Sequence, residues 1–122
     1  MNVCQMIIDM NYGLKNSDLD YIVNILKSIP AIEQAVIFGS RAVNKNRNGS
    51  DIDLALYGNN LDINILAHIH YLFEEESPLP FFFDLIDYTH LKKGLFKNKI
   101  NQEGIVLYKK SKTPYGPRLS RT

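Results

Sequence analysis

Leu19, Ile22, Val23, Leu26 and Ile29 recur at three- and four-residue steps and predict an amphipathic helix over roughly 18–28. Ser17 is its expected N-cap, Asp18 and Asp20 suit its positive end, and Pro30 closes it. Ala35 to Phe38 is a short apolar run stopped by Gly39-Ser40, the pattern of a buried strand entering a tight turn. Arg41 to Ser50 is polar and reads as a loop, and Asp51 to Tyr57 alternates into a second strand ended by Gly58. From Asp62, the residues Ile65, Leu66, Ile69, Leu72 and Phe73 restore helical spacing until Glu74-Glu75-Glu76. Phe81 to Tyr88 predicts a third strand, with Pro80 at its start where a missing N–H is tolerated. Residues 89–103 are expected to be partly helical, anchored by Leu91, Leu95 and Ile100, before a short last strand from Gly104 to Tyr108. This order predicts a small α/β (α+β) domain: a mixed sheet of about four strands with helices packed on one face.

Length and composition narrow the class. With 122 residues, 45% hydrophobic and 22% charged, the chain has room for one core and lies away from the disordered range. Apolar stretches shorter than ten residues exclude a membrane-spanning helix. No basic segment precedes the apolar stretch Val3 to Met10, and Asp9 interrupts it, so no secretory signal is expected. The single cysteine, Cys4, forms neither an internal disulfide nor a metal cluster, and reads as a small hydrophobe. These features predict a soluble cytoplasmic domain over 1–110, followed by a basic, flexible tail over 111–122.

Charge is unevenly spread. Net charge is +1, yet residues 1–90 carry five Lys/Arg against twelve Asp/Glu, while residues 91–122 carry nine against one. The basic segment is either a solvated face or a surface for phosphate, nucleic acid or an acidic partner. His68 and His70 are two apart on a predicted helix, so they fall on opposite flanks and do not chelate together.

The segment Phe38 to Leu56, FGSRAVNKNRNGSDIDLAL, carries the candidate chemistry. Gly39-Ser40 follows a buried strand; if Ser40 begins a helical turn, backbone N–H groups and a hydroxyl form a cradle for an anion. Ten residues intervene before Asp51, with Asp53 two further on, and side chains two apart on a strand share a face. Adjacent carboxylates repel, and a hard divalent cation removes that cost. Mg²⁺ suits such a pair because it takes one or two carboxylates together with substrate phosphate oxygens. A phosphate cradle beside paired carboxylates supplies the parts for metal-assisted phosphoryl or nucleotidyl transfer. A third carboxylate would complete a two-metal arrangement. Asp84 and Asp87 are three apart on the third strand, so only one of them can join the pair. Asp84, mid-strand among Phe82, Phe83, Leu85 and Ile86, is favoured over Asp87, which sits near the strand end.

Gly39-Ser40, ten residues, then Asp51-x-Asp53 resembles the signature of the DNA polymerase β-like nucleotidyltransferase superfamily. The surrounding FGSRA and GSDIDLAL are similar to its minimal members, the MNT (minimal nucleotidyltransferase) proteins, and the resemblance spans about residues 18–108. It implies the nucleotidyltransferase fold, with Gly39, Ser40, Arg41 and Ser50 as nucleotide-binding positions. It further implies Asp51, Asp53 and Asp84 as catalytic residues holding Mg²⁺, and ATP or another NTP as substrate. The chain departs from many relatives after Arg41-Ala42, where Val43 and Asn44 stand and the glycine, Gly49, comes later. Such proteins are often encoded beside a small all-helical HEPN partner as the antitoxin of a toxin–antitoxin pair. In some of these pairs AMP is transferred from ATP to a tyrosine of the partner. The resemblance therefore implies nucleotidyl transfer to a hydroxyl acceptor, with a binding module that neutralises a helical partner by occlusion as the alternative. A basic-tailed RNA-binding domain is the less favoured third reading, and the sequence leaves the oligomeric state open, a homo-oligomer included.

Overall fold

The computed structural model describes residues 11–43, 51–92 and 94–110. Cys4, the segment from Val3 to Met10, Gly49, Ser50 and the tail over 111–122 lie outside the described residues. Three helices and four strands follow one another: α1 (Asn16–Lys27), β1 (Gln34–Phe38), β2 (Ile52–Tyr57), α2 (Ile63–Glu74), β3 (Phe83–Asp87), α3 (Leu95–Glu103) and β4 (Ile105–Lys109). One-turn 3-10 segments, Asn11–Gly13 and Gly39–Arg41, precede α1 and follow β1.

Local chemistry sets the helix ends. The Asp18 carboxylate accepts the Lys15 N–H at 3.2 Å, so α1 starts ahead of the expected cap, and Ser17 lies inside it. At the other end Ser28 donates its N–H to Asn24 and Ile25 and its hydroxyl to Ile25, ending α1 before Pro30 is reached. Asp62 caps α2, its carboxylate accepting from the Ile65 N–H at 2.8 Å. β3 begins at Phe83 rather than Phe81, and there the Phe83 N–H donates to the Glu74 carboxylate at 2.7 Å. Glu74 is thus half-buried and ties the end of α2 to the start of β3.

The sheet order is β3-β2-β1-β4, antiparallel except for the parallel pair β2–β3, so it is mixed as expected. One face packs Ala35, Ile37, Ile52, Leu54, Leu56 and Phe83 against Ile22 and Leu26 of α1 and Ile69 and Phe73 of α2. The two long helices therefore lie on one face. The expectation that all helices would do so needs one correction: Ile100 of α3 packs on the other face, against Val36, Phe38 and Ala55. The reason is visible in β1, where four consecutive apolar residues are buried, and such a strand needs cover on both sides. Leu95 is not an anchor of α3: it is 88% exposed, and Ile100 does that work.

Candidate active site

β1 runs into the Gly39–Arg41 turn, and β2 returns antiparallel beside it with Phe38 opposite Asp53. β3 then pairs parallel to β2 with Asp53 opposite Asp84. In-register neighbours on adjacent strands share a face and stand about 4.8 Å apart. Phe38, Asp53 and Asp84 thus form a row across the sheet, on the face that α3 partly covers. Asp87 is three residues on, points to the other side by strand alternation, and accepts a 2.8 Å hydrogen bond from His90 Nδ1. Register separates the two candidates: Asp84 joins Asp53, and Asp87 does not.

Gly39 makes the close approach of turn and carboxylate possible. Its φ is +77°, and a Cβ added there would overlap Asp53 Oδ2. Gly39→Ala is therefore expected to cost about 1–2 kcal/mol of backbone strain and to displace the Asp53 carboxylate. Thermal melts should show a drop of a few degrees, and nucleotidyl transfer should fall at least about tenfold if Asp53 is needed for it.

Burial, and secondarily the charges of Asp84 and Asp51, push the Asp53 carboxyl up to about 6, against an opposing pull from Lys99 and Arg41. Asp51 stands just ahead of β2 and is exposed. Among the described residues no three His, Cys, Asp or Glu side chains group closely enough to hold a metal ion. Of the three carboxylates expected at the site, Asp84 stands in register with Asp53, and Asp51, just ahead of β2, adds its charge to the shift at Asp53. The strand ladder assembles a pair, Asp53 with Asp84, carrying more negative charge than its half-buried surroundings favour. Two hard oxygen donors with phosphate oxygens to follow fit Mg²⁺.

Arg41 departs most from expectation. A guanidinium that contacts phosphate should be accessible, yet this one is 2% exposed. Its Nη1 donates to the carbonyls of Tyr12 at 2.9 Å and Gly13 at 3.3 Å, and its Cζ lies 5.0 Å from the Phe81 ring centroid. Tyr12 and Gly13 both have left-handed φ, +59° and +72°, so Arg41 secures a strained turn next to the fully buried Leu14. Burial lowers the guanidinium pKa, offset by the charges of Asp18, Asp51 and Asp53. Arg41 is a buried tie between the chain's first described turn and the Gly-Ser turn. Its sequence position gave no hint of this, because the partners are backbone carbonyls 28 and 29 residues away.

The triple phenylalanine divides by role. Phe81 lies under Arg41, Phe83 stacks on Phe73 at 4.3 Å, and Phe82 is 70% exposed. His70 pairs with Glu74 at 3.0 Å, and His68 is exposed, so the two histidines share no ligand position, as expected from helical spacing. In the sequence Lys99 is one of four lysines, with Lys92, Lys93 and Lys97, that read as a solvated face ahead of a role near a nucleotide or a partner, and nothing linear connects it to Asp53.

An open mixed sheet with a glycine turn apposed to a carboxylate pair defines the nucleotidyltransferase class of α/β folds. The chain belongs to the polymerase β nucleotidyltransferase family, whose family model matches residues 15–113. No curated protein matches the sequence significantly. Among solved structures, a toxin–antitoxin crystallised with AMP-PNP is 22% identical, covering 76% of this chain and 74% of that one with a TM-score of 0.64. A mutant of the toxin–antitoxin MntA-HpeT is 21% identical, covering 75% of this chain and 73% of that one with a TM-score of 0.61. A crystal structure from Sulfolobus solfataricus is 16% identical over 92% of this chain and 93% of that one, with a TM-score of 0.53. These likenesses show the fold. Among the described residues no helix is long and apolar enough to cross a membrane.

Proposed function

We propose that the protein transfers a nucleoside monophosphate, AMP from ATP, to the hydroxyl of a tyrosine on a small all-helical HEPN-type partner, as the antitoxin of a toxin–antitoxin pair. The observation that carries this reading is the in-register pair Asp53–Asp84 beside the Gly39–Arg41 turn. Support also comes from the family and from two solved neighbours that are toxin–antitoxin structures, one of them crystallised with AMP-PNP. The other carries two Asp→Glu substitutions two residues apart, the spacing of Asp51 and Asp53 in this chain.

In this reading the Gly39-Ser40 turn offers N–H groups and a hydroxyl to the polyphosphate. Asp53 and Asp84 would hold Mg²⁺, with Asp51 as the further carboxylate at the mouth. Bound there, the cation neutralises the carboxylates and the charge developing on the phosphoryl oxygens. Asp84, exposed at the rim, receives the proton of the acceptor hydroxyl as its oxygen bonds to the α-phosphorus. The α–β bridging bond breaks, and pyrophosphate leaves. Arg41 takes no direct part; it keeps the Gly-Ser turn in place.

The test is incubation of the full chain with its co-encoded partner, Mg²⁺ and each NTP, followed by intact mass measurement of the partner. One added AMP with ATP is the expected result. No adduct with any NTP, together with a tight complex that forms without Mg²⁺, would replace transfer with occlusion.

A further inference from the structure

α3 crosses the same sheet face that carries Asp53 and Asp84, and its contacts fix how it is turned. Phe96 meets Phe38 edge to face at 5.6 Å, and Ile100 is buried against Val36, Phe38 and Ala55. One flank of the helix rests on Tyr88: the Lys97 ammonium lies 4.8 Å from that ring's centroid, and the Tyr88 hydroxyl donates to Asn101 Oδ1. Tyr88 follows the C-terminal end of β3, whereas Asp84 stands near its beginning. At 100° per residue, Leu95 and Lys99 lie on the flank opposite Lys97 and Asn101. That opposite flank looks toward the strand ends bearing Asp53 and Asp84.

Lys99 is exposed there, and among the described residues its ammonium forms no hydrogen bond or ion pair. The three cations Arg41, Lys97 and Lys99 differ in availability. Arg41 is enclosed and committed to Tyr12 and Gly13, while Lys97 is committed to Tyr88 and to the Leu91 carbonyl. Lys99 alone of these three is uncommitted, on a helix whose docking on Phe38 places it over the mouth of the carboxylate row.

We propose that Lys99 binds the nucleotide's polyphosphate and offsets the negative charge on the departing pyrophosphate. The inference rests on the nucleotidyl-transfer reading and names the residue that completes its substrate site. An ammonium on a flexible stem suits this task, because it follows the polyphosphate as a mobile point charge.

The test measures binding of AMP and of ATP, each with Mg²⁺, to the full chain by calorimetry. The parent is compared with Lys99→Gln, Lys99→Arg and, as a charge control on the opposite flank, Lys97→Gln. Lys99→Gln should weaken ATP at least about tenfold, the worth of a charge-assisted contact. The same variant should change AMP much less, Lys99→Arg should restore most of the ATP affinity, and Lys97→Gln should bind ATP as the parent does. A merely structural lysine would not separate AMP from ATP. Lys99→Gln binding ATP like the parent, or Lys97→Gln losing as much, overturns the assignment while leaving nucleotidyl transfer standing. A parent that binds no ATP in the presence of Mg²⁺ overturns both.

Discussion

Asp53→Asn is expected to abolish nucleotidyl transfer and, at the same time, to make the metal-free protein more stable at neutral pH. Burial holds the Asp53 carboxyl at about 6, with Asp84 and Asp51 adding to the shift. A carboxyl whose pKa is raised on folding binds more protons in the folded state between its ordinary pKa and the raised one. Stability therefore falls as pH climbs through that window, and the full penalty is present above about pH 6. Full conversion of the shift would give about 3 kcal/mol, and partial solvent access reduces it to about 1–2 kcal/mol. Asparagine keeps the shape and removes the charge, so the variant should melt several degrees higher at about pH 7.5 without metal. That gain should shrink as pH drops toward about 4, where Asp53 is neutral in the parent too. Added Mg²⁺ should raise the parent's Tm at neutral pH and leave the variant's unchanged. Transfer should drop roughly a thousandfold or more, the consequence of losing several kcal/mol of transition-state stabilisation. A variant that melts below the parent in EDTA would show that the Asp53 charge is compensated by something other than a cation.

Arg41→Ala should produce the opposite pattern, a large stability loss with little direct effect on nucleotide binding. The substitution strips a donor from the Tyr12 and Gly13 carbonyls, empties space above Phe81 and releases a turn held at left-handed φ. Unsatisfied carbonyls, the lost cation–π contact and the cavity together cost about 2–4 kcal/mol. Denaturant titration should place the midpoint well below the parent's, and amide exchange should speed up around Tyr12 to Leu14. Under conditions where the variant is folded, ATP affinity should stay within about threefold of the parent, since the guanidinium is buried against the Tyr12 and Gly13 carbonyls. Lost ATP affinity with an unchanged midpoint would return Arg41 to the phosphate and refute its structural role.

These two residues also show where sequence reading succeeds and where it stops. Asp53 was legible because strand alternation and a ten-residue gap after Gly39-Ser40 are local patterns with local consequences. The burial of Arg41 was not legible, because its partners are main-chain carbonyls far along the chain, which carry no side-chain identity to read. Asp84 was preferred over Asp87 from its mid-strand position, and only the β2–β3 register shows which of them faces Asp53. Leu95 was taken as an anchor by its type, yet α3 turns it outward because Phe96 and Ile100 are the residues that meet Phe38 and Val36.

The amino-acid order by itself determined the succession of helices and strands, the glycine turn after β1 and the pair of alternating aspartates. Each of these follows from side-chain periodicity or backbone freedom over a few neighbouring residues. Only the tertiary structure decided that a helix covers the second sheet face, that Asp84 stands in register with Asp53, and that Arg41 is buried against the Tyr12 and Gly13 carbonyls. Those outcomes depend on strand register and helix docking, which are settled by burial summed over the whole core and leave no mark on any single stretch of chain.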